Sequence, residues 1–153
     1  MTLRHTSTRT RKRKEGDDTL SKHSKRAHRS TELPEVAAAA LQLQHQTWTE
    51  YARVELRALQ TREPAAVAQM LLRLDRHGCQ LRIVRSRCPS LVSLAGVVLV
   101  ETRHTLVLQA DDGAKRRVPK AGSTFALTLP AVDGAQPLTV HLRGEQLIRA
   151  TSR

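Results

Sequence analysis

Carboxylate and imidazole side chains are the groups in this sequence that could carry acid–base or metal-assisted chemistry. Asp111 and Asp112 are adjacent, and adjacent side chains of a strand or turn diverge, so they do not form the paired carboxylates that a metal-dependent nuclease needs. Glu101, His104 and His141 could meet only by a chance of strand register. The sequence has no Ser/His/Asp arrangement and no phosphate-cradling glycine loop. We therefore expect no catalytic residue and no enzyme activity of the chain by itself.

The two cysteines, Cys79 and Cys88, are the other candidates for chemistry. A metal site would have to combine them with His77 and His104, but this spacing matches no common zinc motif. Two cysteines also do not make a disulfide scaffold. We expect both thiols to be reduced and structural, and we expect no metal ion or other cofactor.

The balance of charge indicates the kind of partner. The formal net charge is +12 and the pI is about 11.2, which favours a polyanion because Lys and Arg bound to phosphates release counterions. Nucleic acid is the first candidate and an acidic membrane surface the second. Aromatic residues make up 2% of the chain, so base stacking cannot be a major binding mode.

Membrane and export signals are not evident in the sequence. No apolar run approaches the roughly 18 residues that span a bilayer, and no apolar signal-peptide core follows Met1. We expect a soluble, intracellular protein that does not contact membranes.

Residues 1–30 form a basic segment with ten Lys or Arg, three acidic residues and almost no apolar ones. Such a segment buries too little surface to offset its ordering entropy, so we predict a disordered tail. Its basic clusters at residues 9–14 and 22–29 are spaced like a bipartite nuclear localisation signal. A mitochondrial presequence is an alternative, although Leu3 is nearly the only apolar residue of the first fourteen.

Residues 31–76 are predicted to form a helical extension. One helix should begin near Pro34 and run to about Leu59, with Trp48 and Tyr51 on one stripe. This pair either packs on the following domain or binds a partner subunit. A second helix should begin at Pro64, and Gly78 is well placed as the left-handed residue that ends it.

Residues 77–153 have the pattern of a small antiparallel barrel or sandwich, with short Val- and Leu-rich runs separated by turn residues. Strands are predicted at residues 80–87, 97–102 and 105–110, with turns at Arg103-His104 and Asp111-Asp112-Gly113. Further strands should cover residues 115–120, 125–129 and 138–142. Residues 144–148 could form a closing strand.

The same region resembles the Sm-like-barrel protein subunit of ribonuclease P and ribonuclease MRP of archaea and eukaryotes. The resemblance is weaker outside residues 77–129, but it reaches Trp48 and Tyr51, which match a Trp-x-x-Tyr pair of the family. Ser93 stands where many relatives have Gly. The matching residues are His77-Gly78, Ser86, Arg87-Cys88-Pro89-Ser90-Leu91-Val92, Gly96, Glu101-Thr102-Arg103, Thr105, Val118-Pro119-Lys120 and Phe125.

The resemblance implies a mainly β fold, with an Sm-like barrel of about six strands after two helices. It implies a non-catalytic subunit of an enzyme whose RNA removes the 5′ leader from precursor tRNA or processes precursor rRNA. Implied partners are that RNA, a zinc-ribbon subunit and, indirectly, precursor tRNA, in the nucleus and its nucleolus. The competing hypothesis is a free-standing small-barrel RNA chaperone or ribosome-associated adaptor.

The exposed cations of the barrel are the candidate RNA-binding residues. The run at residues 115–117 could also be a solvated edge that blocks strand addition, but the overall charge favours phosphate contacts. The residues predicted to contact RNA are Arg85, Arg87, Arg103, Lys115, Arg116, Arg117 and Lys120.

Overall fold

The computed structural model describes residues 36–59 and 63–151, so the predicted basic tail lies outside the described residues. None of the described helices is long and apolar enough to cross a membrane. The elements are helices α1 (Ala38–Arg57) and α2 (Pro64–Arg73), strand β1 (Gln80–Arg85), a 3-10 helix (Pro89–Leu91), strands β2 (Ala95–Glu101), β3 (Thr105–Gln109), β4 (Lys115–Pro119), β5 (Thr124–Leu129) and β6 (Leu138–Arg143), and helix α3 (Gly144–Ala150).

The six strands form one antiparallel sheet in the order β4-β3-β2-β1-β5-β6. The predicted turns between β2, β3 and β4 are confirmed. Thr102 and Thr105 hydrogen-bond to each other across the first, while the Asp112 carboxylate accepts the N–H of Ala114 in the second. Gly113 there has a φ of 79°, which glycine adopts without steric cost.

A single apolar core joins the barrel to the helices before it. Leu81, Ile83, Leu106, Leu108 and Phe125 are fully buried on the strands, and Trp48, Ala52, Leu71 and Leu74 of the helical region pack into the same cluster. Each buried Leu or Phe side chain contributes about 1.5–3 kcal/mol relative to an exposed one. The strands therefore hold helices α1 and α2 in place as well as each other.

Alternation of apolar and polar residues holds for β5 but only partly for β6. Phe125, Leu127 and Leu129 are all buried, whereas on β6 only Leu142 is buried and Leu138 is 59% exposed. The reason is that β6 is an edge strand with a neighbour on one side, and Leu138 is its first residue.

The two edge strands meet at a contact between Gly144, which follows β6, and Lys120, which follows β4. A Cβ atom at Gly144 would lie 1.6 Å from the Lys120 carbonyl oxygen, so only glycine fits. The Gly144 N–H donates to the Ser123 carbonyl, and the Lys120 N–H donates to the His104 carbonyl. This contact closes the sheet into a barrel at that end.

Two expectations for local structure were wrong. The predicted strand at residues 144–148 is helix α3, where Gly144 and Leu147 are buried one turn apart; the tight contact at Gly144 turns the chain away from the sheet. Helix α2 ends at Arg73, so Gly78 does not terminate it. Gly78 does have a positive φ of 89°, but its role is to let the backbone approach the Gln44 carbonyl of α1.

Ser93 adopts the left-handed conformation, with a φ of 70°. Its N–H donates to the Ile83 carbonyl, and the neighbouring Leu94 carbonyl accepts the N–H of Ile83, so β1 holds this turn. A non-glycine residue in this conformation costs roughly 1–2 kcal/mol.

Replacement of Gly144 by Ala should destabilise the protein by about 3 kcal/mol or more, because the added methyl group meets backbone atoms that must shift. Gly113→Ala is the matched control: nothing lies within 4 Å of its Cβ position, and its left-handed φ alone should cost about 1–2 kcal/mol. Chemical denaturation measures both. Equal losses would show that the Gly144 contact is not a tight closure.

Candidate nucleic-acid interface

The predicted RNA-binding residues lie in three places on the barrel. Arg85 ends β1 and Arg87 follows it, Arg103 lies in the β2–β3 turn, and residues 115–117 begin the edge strand β4. The arginines among them are exposed, and Lys115 is half-buried. The structure thus spreads these cations over the barrel surface instead of forming one compact patch.

The basic run on β4 is divided between two faces of the sheet. Arg116 lies opposite Leu108, whose side chain is in the core, whereas Arg117 and Lys115 lie opposite Val107 and Gln109. Residues directly opposite each other in a ladder share a face. Arg116 therefore points to the side away from its two basic neighbours, and it reaches solvent because β4 is an edge strand.

Lys120 is inside the protein, with 0% of its surface exposed. Its Nζ atom lies 2.7 Å from Glu101 Oε1 and 3.4 Å from Thr151 Oγ1. A buried ammonium group persists only when it is paired and hydrogen-bonded. Lys120 is a structural residue in this position, so we remove it from the candidate RNA-binding set.

Arg76 completes a buried ion network that sequence reasoning missed. Its Nε atom lies 3.1 Å from both carboxylate oxygens of Glu101, and one terminal nitrogen lies 2.8 Å from Oε1. The other terminal nitrogen donates to the Leu72 carbonyl. Glu101 thus receives charge-assisted hydrogen bonds from two cations, Arg76 and Lys120. The sequence gives little indication that Arg76 and Glu101 form an ion pair, because they are 25 residues apart.

The ionisation of Glu101 follows from these contacts. Burial raises the pKa of the Glu101 carboxyl group, but the hydrogen bonds and positive charges of Arg76 and Lys120 outweigh burial and hold the pKa below its ordinary value. The carboxylate is therefore charged in the folded protein. It connects β2 to the chain after α2, through Arg76, and to the chain after β4, through Lys120.

A β-bulge directs Arg85 to the solvent face of the sheet. Leu81 and Ile83 point into the core, so strict alternation would bury residue 85 as well. The register shifts between Ile83 and Arg85, however, and Arg85 lies opposite Thr124 on β5. Bulges commonly re-aim a side chain in this way.

Two further cations, Arg82 and Arg143, lie near Arg85, and the sequence analysis did not select them. Thr124 is opposite both Arg85 and Arg143, so these three residues form a row across β1, β5 and β6. Arg82 lies in the adjacent row, opposite Ala126, which is itself opposite His141. In the sequence, Arg82 lies between the apolar residues Leu81 and Ile83. This alternation alone would have predicted that Arg82 lies on the solvent face of β1.

Arg87 packs over the turn before β5. A Cβ atom at Gly122, whose φ is 71°, would lie 2.5–2.7 Å from three atoms of the Arg87 side chain. The Gly122 N–H donates to Glu145 Oε1 over 2.7 Å. This hydrogen bond, then one from the backbone of Glu145 itself, and to a lesser extent the positive charges of Arg87 and Arg143, hold the pKa of Glu145 below its ordinary value. Arg87 is thus exposed, with the Glu145 carboxylate as a nearby negative group.

Trp48 and Tyr51, the predicted partner-binding residues, differ in exposure. Trp48 is buried, its indole N–H donates to the Asp75 carbonyl over 2.7 Å, and the His45 ring stacks nearby. Tyr51 is 38% exposed and lies on the same helix as the more exposed Leu43 and Val54. Trp48 therefore fixes α1 to the barrel, while Tyr51 borders an apolar surface on α1.

The cysteines and acidic residues form no metal site among residues 36–59 and 63–151. Cys79 is buried, and burial raises the pKa of its thiol, so it is unreactive. Cys88 is exposed, and its sulfur lies 3.0 Å from Ser90 Oγ. Both thiols are free.

These features define a small antiparallel barrel of the Sm-like type, preceded by two helices and stabilised by a buried ion network. Comparison with known proteins identifies the family. The model of the family described as ribonuclease P/MRP, subunit p29, matches residues 69–153. The chain belongs to this family.

Individual relatives come from eukaryotes and archaea. The rat ribonuclease P protein subunit p29 is 28% identical over 86 residues, which are 56% of this chain and 39% of the relative. Ribonuclease P protein component 1 of Hyperthermus butylicus is 40% identical over 70 residues, 46% of this chain and 59% of the relative. The solved structure of Mth11, a homologue of the human RNase P protein Rpp29, is 33% identical and covers 46% of this chain and 83% of that chain, with a TM-score of 0.36. The chain spans about two fifths of the length of the mammalian relatives.

Replacement of Glu101 by Gln should cost about 3–5 kcal/mol of unfolding free energy, because Arg76 and Lys120 would remain buried without a counter-charge. Glu50→Gln is the control, since the Glu50 side chain is 71% exposed in its ion pair with Arg53. It should cost less than about 1 kcal/mol.

Lowering the pH should destabilise the folded protein through protonation of the Glu101 carboxylate. The folded pKa of Glu101 is depressed, so its stabilisation is complete above the unfolded value of about 4.3 and is lost as the pH falls through the folded pKa. Denaturation between neutral and acidic pH should therefore be steeper for the unaltered protein than for Glu101→Gln. Parallel pH profiles, or a loss for Glu101→Gln no larger than for Glu50→Gln, would contradict this role.

Proposed function

We propose that this chain is a non-catalytic protein subunit of ribonuclease P, supporting 5′-leader removal from precursor tRNA by the RNA of the complex. The observation that carries the proposal is the family match over residues 69–153, which includes the whole barrel. The same family description supports a role in ribonuclease MRP and precursor rRNA processing. The eukaryotic relatives favour a nuclear, and within it nucleolar, location.

The role that the barrel suits best is neutralisation of folded RNA. Its exposed cations lie on different sides, which suits contacts to phosphates of an RNA that surrounds the protein, with little reading of sequence. Base stacking contributes little, because Trp48 and Phe125 are buried and Tyr51 is the one exposed side chain among the three Phe, Tyr and Trp residues. The proposed RNA-contacting residues are Arg85, Arg87, Arg103, Lys115, Arg116 and Arg117.

We also propose that the exposed apolar strip on α1 binds another protein subunit, and the family resemblance favours the zinc-ribbon subunit. Leu43, Tyr51 and Val54 are spaced so that they share one face of the helix, and Leu43 and Val54 are each more than 60% exposed. The strip borders a groove of about 560 Å³ lined by Leu43, Trp48 and Tyr51. Exposed apolar surface of this kind is typical of protein interfaces.

Purification of the protein from its own cells under mild salt, with sequencing of the RNA that accompanies it, tests the proposed function. We expect one abundant structured RNA and cleavage of precursor tRNA that is lost when this RNA is digested. Cleavage of precursor rRNA would assign ribonuclease MRP as well. A broad mixture of RNAs, or self-associated rings of the chain, would instead indicate a free-standing RNA chaperone or adaptor. Cleavage that persists without RNA would indicate an enzyme.

Replacement of Leu43 by Asp should remove a partner protein subunit from the purified complex while leaving the fold intact, because the side chain is 64% exposed. Gln42→Asp is the matched control, since Gln42 is exposed on the same helix but projects about 100° away from its sequence neighbour Leu43. Quantitative mass spectrometry of the purified complex measures partner content. Unchanged content in Leu43→Asp would place the partner elsewhere.

A further inference from the structure

The solvent face of β1, β5 and β6 carries a groove of about 490 Å³ that has no assigned role. We call it the outer-face groove. Small side chains, Ala95 and Ala126, line it, so its floor is open to the backbone of a ligand. Arg82 and His141, which flank Ala126 in register on the neighbouring strands, line it as well.

Positive charge dominates this face. Arg82 lines the groove, whereas Arg85 and Arg143 lie one row beyond its lining, on opposite sides of Thr124. The strand spacing places the backbones of Arg85 and Arg143 roughly 10 Å apart. Among residues 36–59 and 63–151, neither Arg82 nor Arg85 forms an ion pair. The negative group near Arg143 is the carboxylate of Glu145, which accepts a hydrogen bond from the Gly122 N–H.

The opposite end of the groove is neutral and polar. Thr128 and Thr139 are exposed, and their hydroxyl oxygens lie 3.4 Å apart across β5 and β6. The amide side chain of Gln80 lines the groove beside them. Hydroxyl and amide groups both donate and accept hydrogen bonds, which suits ribose hydroxyls and phosphate oxygens.

These chemistries suit the backbone of an RNA strand. Arginines separated by a polar, small-residue floor match phosphates separated by ribose, and the imidazole of His141 is the one ring among the side chains that line the groove, so base stacking is limited to one position. An acidic peptide would satisfy the arginines and could hydrogen-bond to the hydroxyl end through its backbone, so the choice of RNA rests on the match to a ribonuclease P subunit family and on the net charge of +12.

We propose that the outer-face groove binds the sugar–phosphate backbone of an RNA strand, with Arg82 and Arg143 contacting separate phosphates and Arg85 assisting through the bulge in β1. The inference deepens the proposed function and rests on it, since it assigns the RNA-binding role to a particular face. It adds residues that are distinct from the basic run on β4.

Salt-dependent binding of the full chain to a single-stranded RNA of mixed sequence, about 16 nucleotides long, tests the groove. Removal of one arginine–phosphate interaction should reduce the slope of log binding constant against log salt by roughly 0.7. The double variant Arg82→Gln/Arg143→Gln should therefore lower the slope by about 1.4, while the charge-conserving variant Arg82→Lys/Arg143→Lys should retain it. Circular dichroism confirms that each variant is folded.

Arg73→Gln/Arg149→Gln is the matched control, because it removes two exposed arginines from α2 and α3. An equal reduction of slope in this control would mean a general effect of net charge and would overturn the assignment. A reduction confined to Lys115→Ala/Arg116→Ala/Arg117→Ala would overturn it while sustaining RNA binding by the chain. Competition by polyglutamate as effective as that by RNA at equal salt would identify an acidic protein ligand instead. Absence of RNA binding by the unaltered chain would refute both this inference and the proposed RNA-binding role.

Discussion

The half-buried carboxylate of Glu101, paired with two buried cations, is the constraint on which the arrangement of helices and barrel depends. It receives Arg76 from the chain after α2 and Lys120 from the turn after β4. The same cations also donate to the Leu72 carbonyl and to the Thr151 hydroxyl beyond α3. Three separate segments thus converge on one negative charge. Because burying charges is costly unless they are well paired, removal of one member of the network should cost more stability than the intact network contributes.

Closure of the barrel and exposure of its cations have related causes. The network holds Lys120 inside, and this places its backbone against Gly144, where the ends of β4 and β6 meet. The bulge in β1 interrupts the alternation of a strand that would otherwise bury Arg85. The exposure of two cations therefore depends on irregular positions of the chain: Arg85 on the bulge between Ile83 and Arg85, and Lys120 on the closure at Gly144.

Much of the fold could be predicted from the sequence because its signals are local. The β2–β3 hairpin, the Asp111-Asp112-Gly113 turn and the buried face of β5 depend on turn chemistry and on period-two alternation. Helix α3 was missed because, with seven residues, it is too short to show helical periodicity. The bounds of helix α1 were predicted to within a few residues: its start was expected near Pro34 and lies at Ala38.

The surface was harder to predict, because charge in the sequence does not reveal depth. Lys120 follows a basic run, and the sequence therefore predicts that it is exposed. In the structure it is buried, because it pairs with the carboxylate of Glu101 on another strand. Arg82 and Arg143 are more than fifty residues apart in sequence, and only the strand order brings them to one face. Arg85 was predicted to be exposed, but the bulge that exposes it leaves no mark in the alternation pattern.

The position of the single tryptophan makes its intrinsic fluorescence a probe of the attachment of helix α1. Trp48 lies in the contact between α1 and the Asp75 carbonyl, whereas the strands contribute no indole. Intrinsic fluorescence therefore follows detachment of α1, and far-ultraviolet circular dichroism follows loss of the secondary structure as a whole. Where the two signals separate, the helix leaves the barrel before the barrel unfolds; where they coincide, the shared core makes them one cooperative unit.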